Sequence, residues 1–474
     1  MKSNLMKRFL SFSYGGAAGA AIGFLTTILT TRILSPEEFG KTSMFTLFIS
    51  LATLLTIFGT DQAFVRFFYE EEEKKRGSLL YNCLKVAGLI LLPVTISIFI
   101  FKESLLIFLF DEYDLSMFFV VLLAIISQLL YRFATLVIRM QQKGNLFSIF
   151  EILNRFFVLA GVILFYNFFG SNYRIVIFST VLSFVLLLIV LILIQKEYWS
   201  LKNFAAKDVT HSKKNIYSYS YPLVFTAVIM WIFEGVDKFM IRHWADLNEL
   251  GLYSAAFKII GLLTVMQMVF TTFWSPVAYE TYQKTPLNTI FYSRVSKYVS
   301  VAMLMVAIIV IMLKDLIIML LGDEYEGASR MLSFLVFIPL MYTISETTVI
   351  GINFHKKVKW HILIAAIACV VNAIGNLWLV PSFGGIGASI STGVSYIIFL
   401  ILRTTISLRY YKVDYGLKKL YISVAIVFLY AVYTLLSNKI IQDEFVGILC
   451  IAIIFSVYFR ELKDLLSLRI GKGV

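Results

Sequence analysis

Ile175-Val176-Ile177-Phe178-Ser179-Thr180-Val181-Leu182-Ser183-Phe184-Val185-Leu186-Leu187-Leu188-Ile189-Val190-Leu191-Ile192-Leu193-Ile194 is a run of apolar and hydroxyl side chains without a charge. As a helix it reaches about 30 Å, the thickness of a bilayer's hydrocarbon core. In lipid every backbone N–H and C=O must be paired within the segment or across a closed barrel. Barrel strands need only about 9–11 residues, so a run of this length reads as a membrane helix. Working outward in both directions, runs of similar length fall near 11–33, 42–64, 79–101, 116–138, 147–167, 174–195, 217–241, 251–275, 297–321, 331–353, 360–381, 385–407, 418–437 and 445–460. The pattern predicts an all-α, polytopic membrane protein with fourteen spans joined by short loops.

Composition agrees. Hydrophobic residues make up 59% of the 474 and charged residues 15%, and mean hydropathy is +0.84. Soluble domains carry about 25% charged residues and could not hide this much apolar surface. A soluble enzyme, a nucleic-acid binder and a disordered chain are all excluded. The basic stretch Met1 to Arg8 resembles the start of a signal peptide, but the apolar run after it continues to about Leu34, too long for an h-region. It reads as the first span. Cys83, Cys369 and Cys450 all fall within apolar runs, as small packing residues do, and give no disulfide framework. His211, His243, His355 and His361 have no ligand-spaced partners, so neither a metal site nor a cofactor is expected.

The net charge of +13 becomes informative once sorted by loop. With the N-terminus in the cytoplasm, 29 of the 42 Lys and Arg lie on the inside and 8 outside, Arg403 counted among the first and Lys314 among the second. Five remain within spans: Lys85, Arg132, Arg155, Lys238 and Lys258. This positive-inside bias places both termini in the cytoplasm and assigns the excess charge to topology and anionic lipid rather than nucleic acid.

Two segments repeat. Lys102-Glu103 to Asp111-Glu112-Tyr113-Asp114 aligns with Lys314-Asp315 to Asp323-Glu324-Tyr325-Glu326 at an offset of 212, and Glu38-Phe39-Gly40 aligns with Glu249-Leu250-Gly251 at 211. The copies lie six spans apart, an even number, so they share one orientation. A parallel repeat of two six-helix lobes follows, the architecture of an alternating-access transporter with a central crevice. The expected division is 1–200 for spans one to six, 201–216 for a cytoplasmic linker, 217–410 for spans seven to twelve, and 411–474 for spans thirteen and fourteen with a cytoplasmic tail. The acidic tips at 111–114 and 323–326 read as solvated loop caps.

Ionisable groups within spans cost about 2.5–3.5 kcal/mol each at mid-membrane and are the first functional candidates. Glu151 with Arg155, and Glu234 with Lys238, stand at i,i+4, where an intrahelical ion pair eases insertion as well as a functional role explains them. Lys85, Arg132 and Lys258 have no acid at i±3 or i±4. Lys85, Arg132 and Arg155 fall in the cytoplasmic half of the first lobe, and Lys238 and Lys258 toward the outer half of the second. Facing a crevice, such cations suit an anionic substrate such as a phosphate or pyrophosphate headgroup. Asp61 either carries a coupling proton or pairs with Arg66. Gly15, Gly19 and Gly23 form a small-residue face for tight packing or for a hinge. No P-loop segment and no Ser–His–Asp set is present in the sequence.

At six places the residues resemble bacterial polysaccharide flippases. These are Leu34-Ser35-Pro36-Glu37-Glu38-Phe39-Gly40, Gly59-Thr60-Asp61-Gln62-Ala63-Phe64-Val65-Arg66-Phe67, Asp237-Lys238-Phe239-Met240-Ile241, Leu250-Gly251-Leu252-Tyr253-Ser254-Ala255-Ala256-Phe257-Lys258-Ile259, Trp274-Ser275-Pro276, and Leu379-Val380-Pro381 to Ala388-Ser389. The resemblance implies the O-antigen type within the multidrug/oligosaccharidyl-lipid/polysaccharide exporter superfamily. Such a protein is not an enzyme: it moves an undecaprenyl-pyrophosphate-linked oligosaccharide across the bacterial plasma membrane, with membrane lipids, a polysaccharide polymerase and chain-length machinery as partners. The carry-over reaches Asp61 and Asp237 as proton- or ion-coupling residues and Lys238 and Lys258 as substrate-binding ones. Arg132 and Arg155 join the substrate-binding set on burial alone. The alternatives are an ion-coupled multidrug exporter of the same superfamily and a polytopic glycosyl- or acyltransferase.

Overall fold

The computed structural model describes residues 2–205, 210–437, 439–461 and 463, with the side chains of all of these except 2–13, 204–205, 230, 234 and 440. The described residues contain helices and no strand. In chain order the first ten helices are α1 (Lys2–Ile33), α2 (Pro36–Ile57), α3 (Thr60–Phe67), α4 (Arg76–Ile100), α5 (Lys102–Phe110), α6 (Leu115–Met140), α7 (Gly144–Phe169), α8 (Arg174–Ile194), α9 (Leu201–Ala205) and α10 (Lys213–Trp244). The remainder are α11 (Leu247–Lys284), α12 (Thr289–Met312), α13 (Lys314–Ile318), α14 (Ala328–Leu335), α15 (Phe337–Thr348), α16 (Ile350–Phe354), α17 (Lys359–Leu408), α18 (Leu417–Leu436) and α19 (Ile440–Val457).

Among the described residues, twelve helices are long and apolar enough to cross a membrane, where the sequence pattern expects fourteen. The difference falls at α17 and α19. α17 is 50 residues long and spans both the 360–381 and the 385–407 runs. It bends at Gly384, whose φ of 52° and ψ of −133° are not helical. That backbone suits glycine alone, and a Cβ there would lie 2.8 Å from Glu249 Oε2. α19 has 18 residues and is not among the twelve.

A second difference concerns the second span. Its apolar run continues to 64, but α2 stops at Ile57 because Phe58 (φ 52°) and Gly59 (φ 70°) turn left-handed and cap it. The chain restarts as α3, so Asp61 belongs to the first turn of a separate short helix.

The chain divides into two compact units, residues 1–235 and 236–474. The division falls within α10, whereas the sequence pattern placed the join at 201–216. In the first unit α1 packs along α7, α7 on α8, and α2 on α4 and α6. Gly15 makes the first of these contacts close: a Cβ there would sit 2.5 Å from Ser148 Cα, and its N–H donates to Ser148 Oγ at 3.3 Å. Gly23 has open space around it, so the small-residue face works only at its first two positions. In the second unit the segment Ala328–Thr348 is the most enclosed, with 89% of its apolar window buried. α18 and α19 both pack against α12.

The duplication is visible in hydrogen bonds. Ser35 caps α2 and Asp246 caps α11, each accepting from the N–H of the glutamate three residues on, Glu38 or Glu249. Each glutamate then holds the start of the sixth helix-forming run of its own unit. Glu38 Oε2 accepts from Tyr173 N at 2.6 Å, and Glu249 Oε2 accepts from Gly385 N at 2.9 Å. The acidic tip of the first copy is more than a solvated cap. Tyr173 Oη donates to Glu112 Oε1 at 2.6 Å, and Arg174 pairs with Asp114 at 2.9 Å. In the second copy Tyr325 is fully buried.

Candidate functional site

Each unit carries a polar cluster built on membrane helices. In the first, Arg132 of α6 donates from Nη2 to Asp61 Oδ2 at 3.1 Å. Gln62 fixes the same carboxylate, its backbone N–H reaching Oδ1 at 2.8 Å and its side chain Oδ2 at 3.2 Å. Asp61 is buried, but the Arg132 side chain is 49% exposed. The pair is therefore oriented from one side only. The guanidinium has five N–H donors and keeps an open face that an anion can occupy. Arg66 pairs instead with Glu70, which removes it as the partner of Asp61. One turn before Arg132, Gln128 accepts from Thr53 Oγ1 at 3.1 Å, extending a polar stripe along α6.

Arg155 is exposed on α7, where a Cβ on Gly19 of α1 would meet its Cγ at 3.6 Å. Among the described residues no salt bridge within 4.0 Å joins it to Glu151, so the expected pairing along the helix is not made. Two exposed, opposite charges four residues apart gain little from closing a salt bridge.

The second unit holds a different arrangement. Asp237 of α10 is 4% exposed and accepts three hydrogen bonds from neutral donors. Tyr253 Oη of α11 reaches Oδ2 at 2.7 Å, Thr392 Oγ1 of α17 reaches Oδ2 at 2.6 Å, and Asn376 Nδ2 of α17 reaches Oδ1 at 2.6 Å. Asn372 extends the network: its Nδ2 donates to Thr392 Oγ1 at 3.0 Å, and its Oδ1 accepts from Asn376 Nδ2 at 2.9 Å. Among the described residues no cation pairs with Asp237, so a salt bridge from Lys258 to this carboxylate is not made. Asn376 Oδ1 is buried without a hydrogen-bond partner. A carboxylate enclosed by neutral donors alone carries an uncompensated charge, which a proton or a small hard cation neutralises. Oxygen ligands from a carboxylate, an amide and a hydroxyl suit such a cation. Among the described residues no group of three or more His, Cys, Asp or Glu gathers to hold a metal ion.

Lys238 projects its ammonium over the Phe257 ring, 5.5 Å from the centroid. Lys258 is exposed, although the helix around it, from Leu250 to Ala256, is buried. The Glu234 side chain, the expected partner of Lys238, lies outside the described residues.

Two buried ion pairs escape a search for acids at helical spacing. Arg403 of α17 pairs with Glu346 of α15 at 2.9 Å, both under 9% exposed, with the guanidinium over the Tyr342 and Phe399 rings. Lys314 pairs with Asp443 at 3.1 Å, equally buried. The apolar-run pattern puts both basic residues in loops, whereas both are interior. Asn372, Asn376 and Thr392 are uncharged and so fall outside a search for ionisable groups. Two amides at i,i+4 in an otherwise apolar run were the signal for them, since an amide in hydrocarbon needs a partner as a charge does.

A comparison with curated proteins found no match. Among solved structures, the chain is similar in fold to "Lipid II flippase MurJ, inward closed conformation", with a TM-score of 0.68, 17% identity, and coverage of 95% of this chain and 99% of that one. It is also similar to an inward-facing multidrug resistance MATE family transporter of the MOP superfamily, with a TM-score of 0.59, 14% identity, and coverage of 82% and 94%. An outward-facing MATE transporter gives a TM-score of 0.53 at 14% identity, over 85% and 95%. These likenesses establish a shared all-helical, multi-pass membrane fold. The polysaccharide biosynthesis protein family matches residues 5–282, more than half of the chain, and the chain belongs to that family.

Proposed function

We propose that this protein moves an undecaprenyl-pyrophosphate-linked oligosaccharide from the cytoplasmic to the outer leaflet of a bacterial plasma membrane by alternating access, for O-antigen, capsule or a related surface polysaccharide. The observation that carries the reading is the family match over residues 5–282. The fold likeness to a lipid II flippase over 95% of the chain supports it. Within each unit the cations suit a pyrophosphate, Arg132 and Arg155 in the first and Lys238 and Lys258 in the second. Asp237 takes the coupling proton or cation, and Asp61 sets the orientation of Arg132. The termini are cytoplasmic, in keeping with a loop bias that stands at 28 to 7 once the buried Arg403 and Lys314 are set aside. A polysaccharide polymerase and chain-length machinery act on the product.

The likeness to MATE transporters supports a second reading, an ion-coupled multidrug exporter. Exposed cations on membrane helices favour an anionic cargo over cationic drugs.

The test uses proteoliposomes loaded with a fluorescent polyprenyl-pyrophosphate saccharide and a membrane-impermeant quencher. Protein-dependent exposure of the label from the inner leaflet supports the flippase. Export of cationic dyes without lipid translocation would replace it with the exporter.

A further inference from the structure

A cavity of about 520 Å³ opens on the first unit where three helix corners meet. These corners are residues 69–77 between α3 and α4, residues 140–143 between α6 and α7, and Glu197 and Tyr198 just past the end of α8. All three lie on one side of the membrane by the alternation of the helices, the side with the excess of basic residues. None of these residues belongs to the clusters of Asp61 or Asp237.

The walls are chemically specific. Lys74, Arg76 and Lys143 face the cavity with Glu73 and Glu197. Glu73 lies 3.7 Å from Arg76, so one of the two carboxylates has its counter-charge within the wall. Arg76 is held in place: its Nε donates to Phe68 O at 3.1 Å and its guanidinium lies 4.6 Å from the Phe68 ring centroid. Tyr69, whose ring lies 5.5 Å from the same guanidinium, ties this corner to the next: its hydroxyl donates to Met140 O at 2.5 Å and accepts from Gln142 Nε2 at 3.3 Å. Gln142 holds a φ of 58°, a left-handed conformation that a side chain of its kind adopts only where the surroundings impose it. That turn brings Gln142 and Lys143 into the cavity lining.

We propose that this cavity binds the phosphate head of an anionic molecule, with Lys74 and Lys143 as direct ligands and Arg76 as the fixed cation at its base. A basic recess at the ends of membrane helices, lined by aromatic rings, is where a phospholipid headgroup of that leaflet comes to rest. A soluble phosphomonoester would meet the same cations. An occupant would tie three corners of the unit together, and Asn203, which donates to Tyr198 O at 3.2 Å, would tie the chain beyond α8 to it.

The test compares the full chain with Lys74→Gln/Lys143→Gln and Lys74→Arg/Lys143→Arg, leaving Arg76 intact because it supports Phe68. Each is placed in nanodiscs of phosphatidylcholine containing phosphatidylglycerol, and retained lipid is counted by native mass spectrometry. Nanodiscs expose both faces, so the result does not depend on the orientation of the chain in the cell or on the transport reading. The Gln pair is expected to hold phosphatidylglycerol about twenty-five-fold more weakly, at roughly a factor of five per lysine. The Arg pair should hold it as the parent does, which separates lost charge from a damaged fold. Glycerol 3-phosphate is then added. Displacement of the retained lipid assigns the site to free phosphates as well, and failure to displace it assigns the site to lipid. Both outcomes support a phosphate site. Equal retention by the parent and the Gln pair, with matching melting curves, overturns it.

Discussion

Glu249 Oε2 accepts the backbone N–H of Gly385 at 2.9 Å. Its counterpart in the first unit, Glu38, does the same for Tyr173. In a common capping box a glutamate at this position reaches back to its own cap residue. Here it spans to another helix and satisfies an N-terminal N–H that would otherwise be orphaned. A charged acceptor on a backbone N–H contributes about 1.5–3 kcal/mol. Glu249→Ala is therefore expected to lower the melting temperature of the detergent-solubilised protein, with Glu249→Gln intermediate. Gly384→Ala should destabilise it through both φ and the clash with Glu249. An Ala variant at 249 that melts like the parent would show that the bond is incidental.

The Asp237 cluster predicts a loss of coupling without a loss of fold. Asp237→Asn preserves volume, offers one acceptor oxygen and one NH2 donor where the carboxylate has two acceptors, and cannot take up a proton or cation as the carboxylate does. Its transport is expected to fall by on the order of tenfold or more, since binding at a coupling site is worth a few kcal/mol. Thr392→Val and Asn376→Leu should weaken transport and raise the ion concentration needed for half-maximal rate. Proteoliposomes under an imposed proton or sodium gradient read both quantities. Full gradient-driven transport by Asp237→Asn would remove Asp237 from the mechanism.

Much of this was legible in the sequence for a physical reason. Lipid forces backbone pairing within the segment, so each span leaves an unbroken apolar run. Duplication leaves motifs at a fixed offset. What could not be read is what depends on distant contacts. The stop at Phe58 occurs inside an apolar run, with Gly59 against Ser220 of α10 as its tertiary reason. The Glu346–Arg403 pair is separated by more than fifty residues, so no search at i±4 finds it. Asp61 and Arg132 stand 71 residues apart, and only folding joins them. Asn372 and Asn376 carry no formal charge to single them out, although together they complete the Asp237 cluster.

Glu71 gives a pH-dependent prediction outside the membrane helices. Burial alone would push its carboxyl up. The His211 ring and the backbone N–H groups of His211 and Thr210 outweigh this and hold it below the ordinary glutamate value. A depressed folded value stabilises the protein above the unfolded value, and that stabilisation is lost as pH falls through the folded one. Thermal melts from neutral to acid pH should show the parent losing stability below the ordinary glutamate range. Glu71→Gln should start less stable and lose less over that interval. Parallel melting profiles for the two would refute the assignment.

Arg132 and Asp61 decide between a ligand-binding and a structural reading. If the pair exists only to neutralise charge, exchanging the residues, Asp61→Arg with Arg132→Asp, should restore full transport after each single change has reduced it. If the open face of Arg132 receives the pyrophosphate, the exchange moves the cation to α3 and transport stays low although the pair is re-formed. Arg132→Ala is expected to insert normally and lose transport, and Arg132→Lys to keep part of it, since a point charge supplies attraction without the planar fork. Asp61→Asn leaves the cation in place but less firmly oriented. It should weaken apparent substrate affinity more than maximal rate, a split that a merely structural pair would not produce. Initial rates against lipid-linked substrate concentration in proteoliposomes provide the measurement. Recovery of parental transport by the exchanged pair would make Arg132 structural.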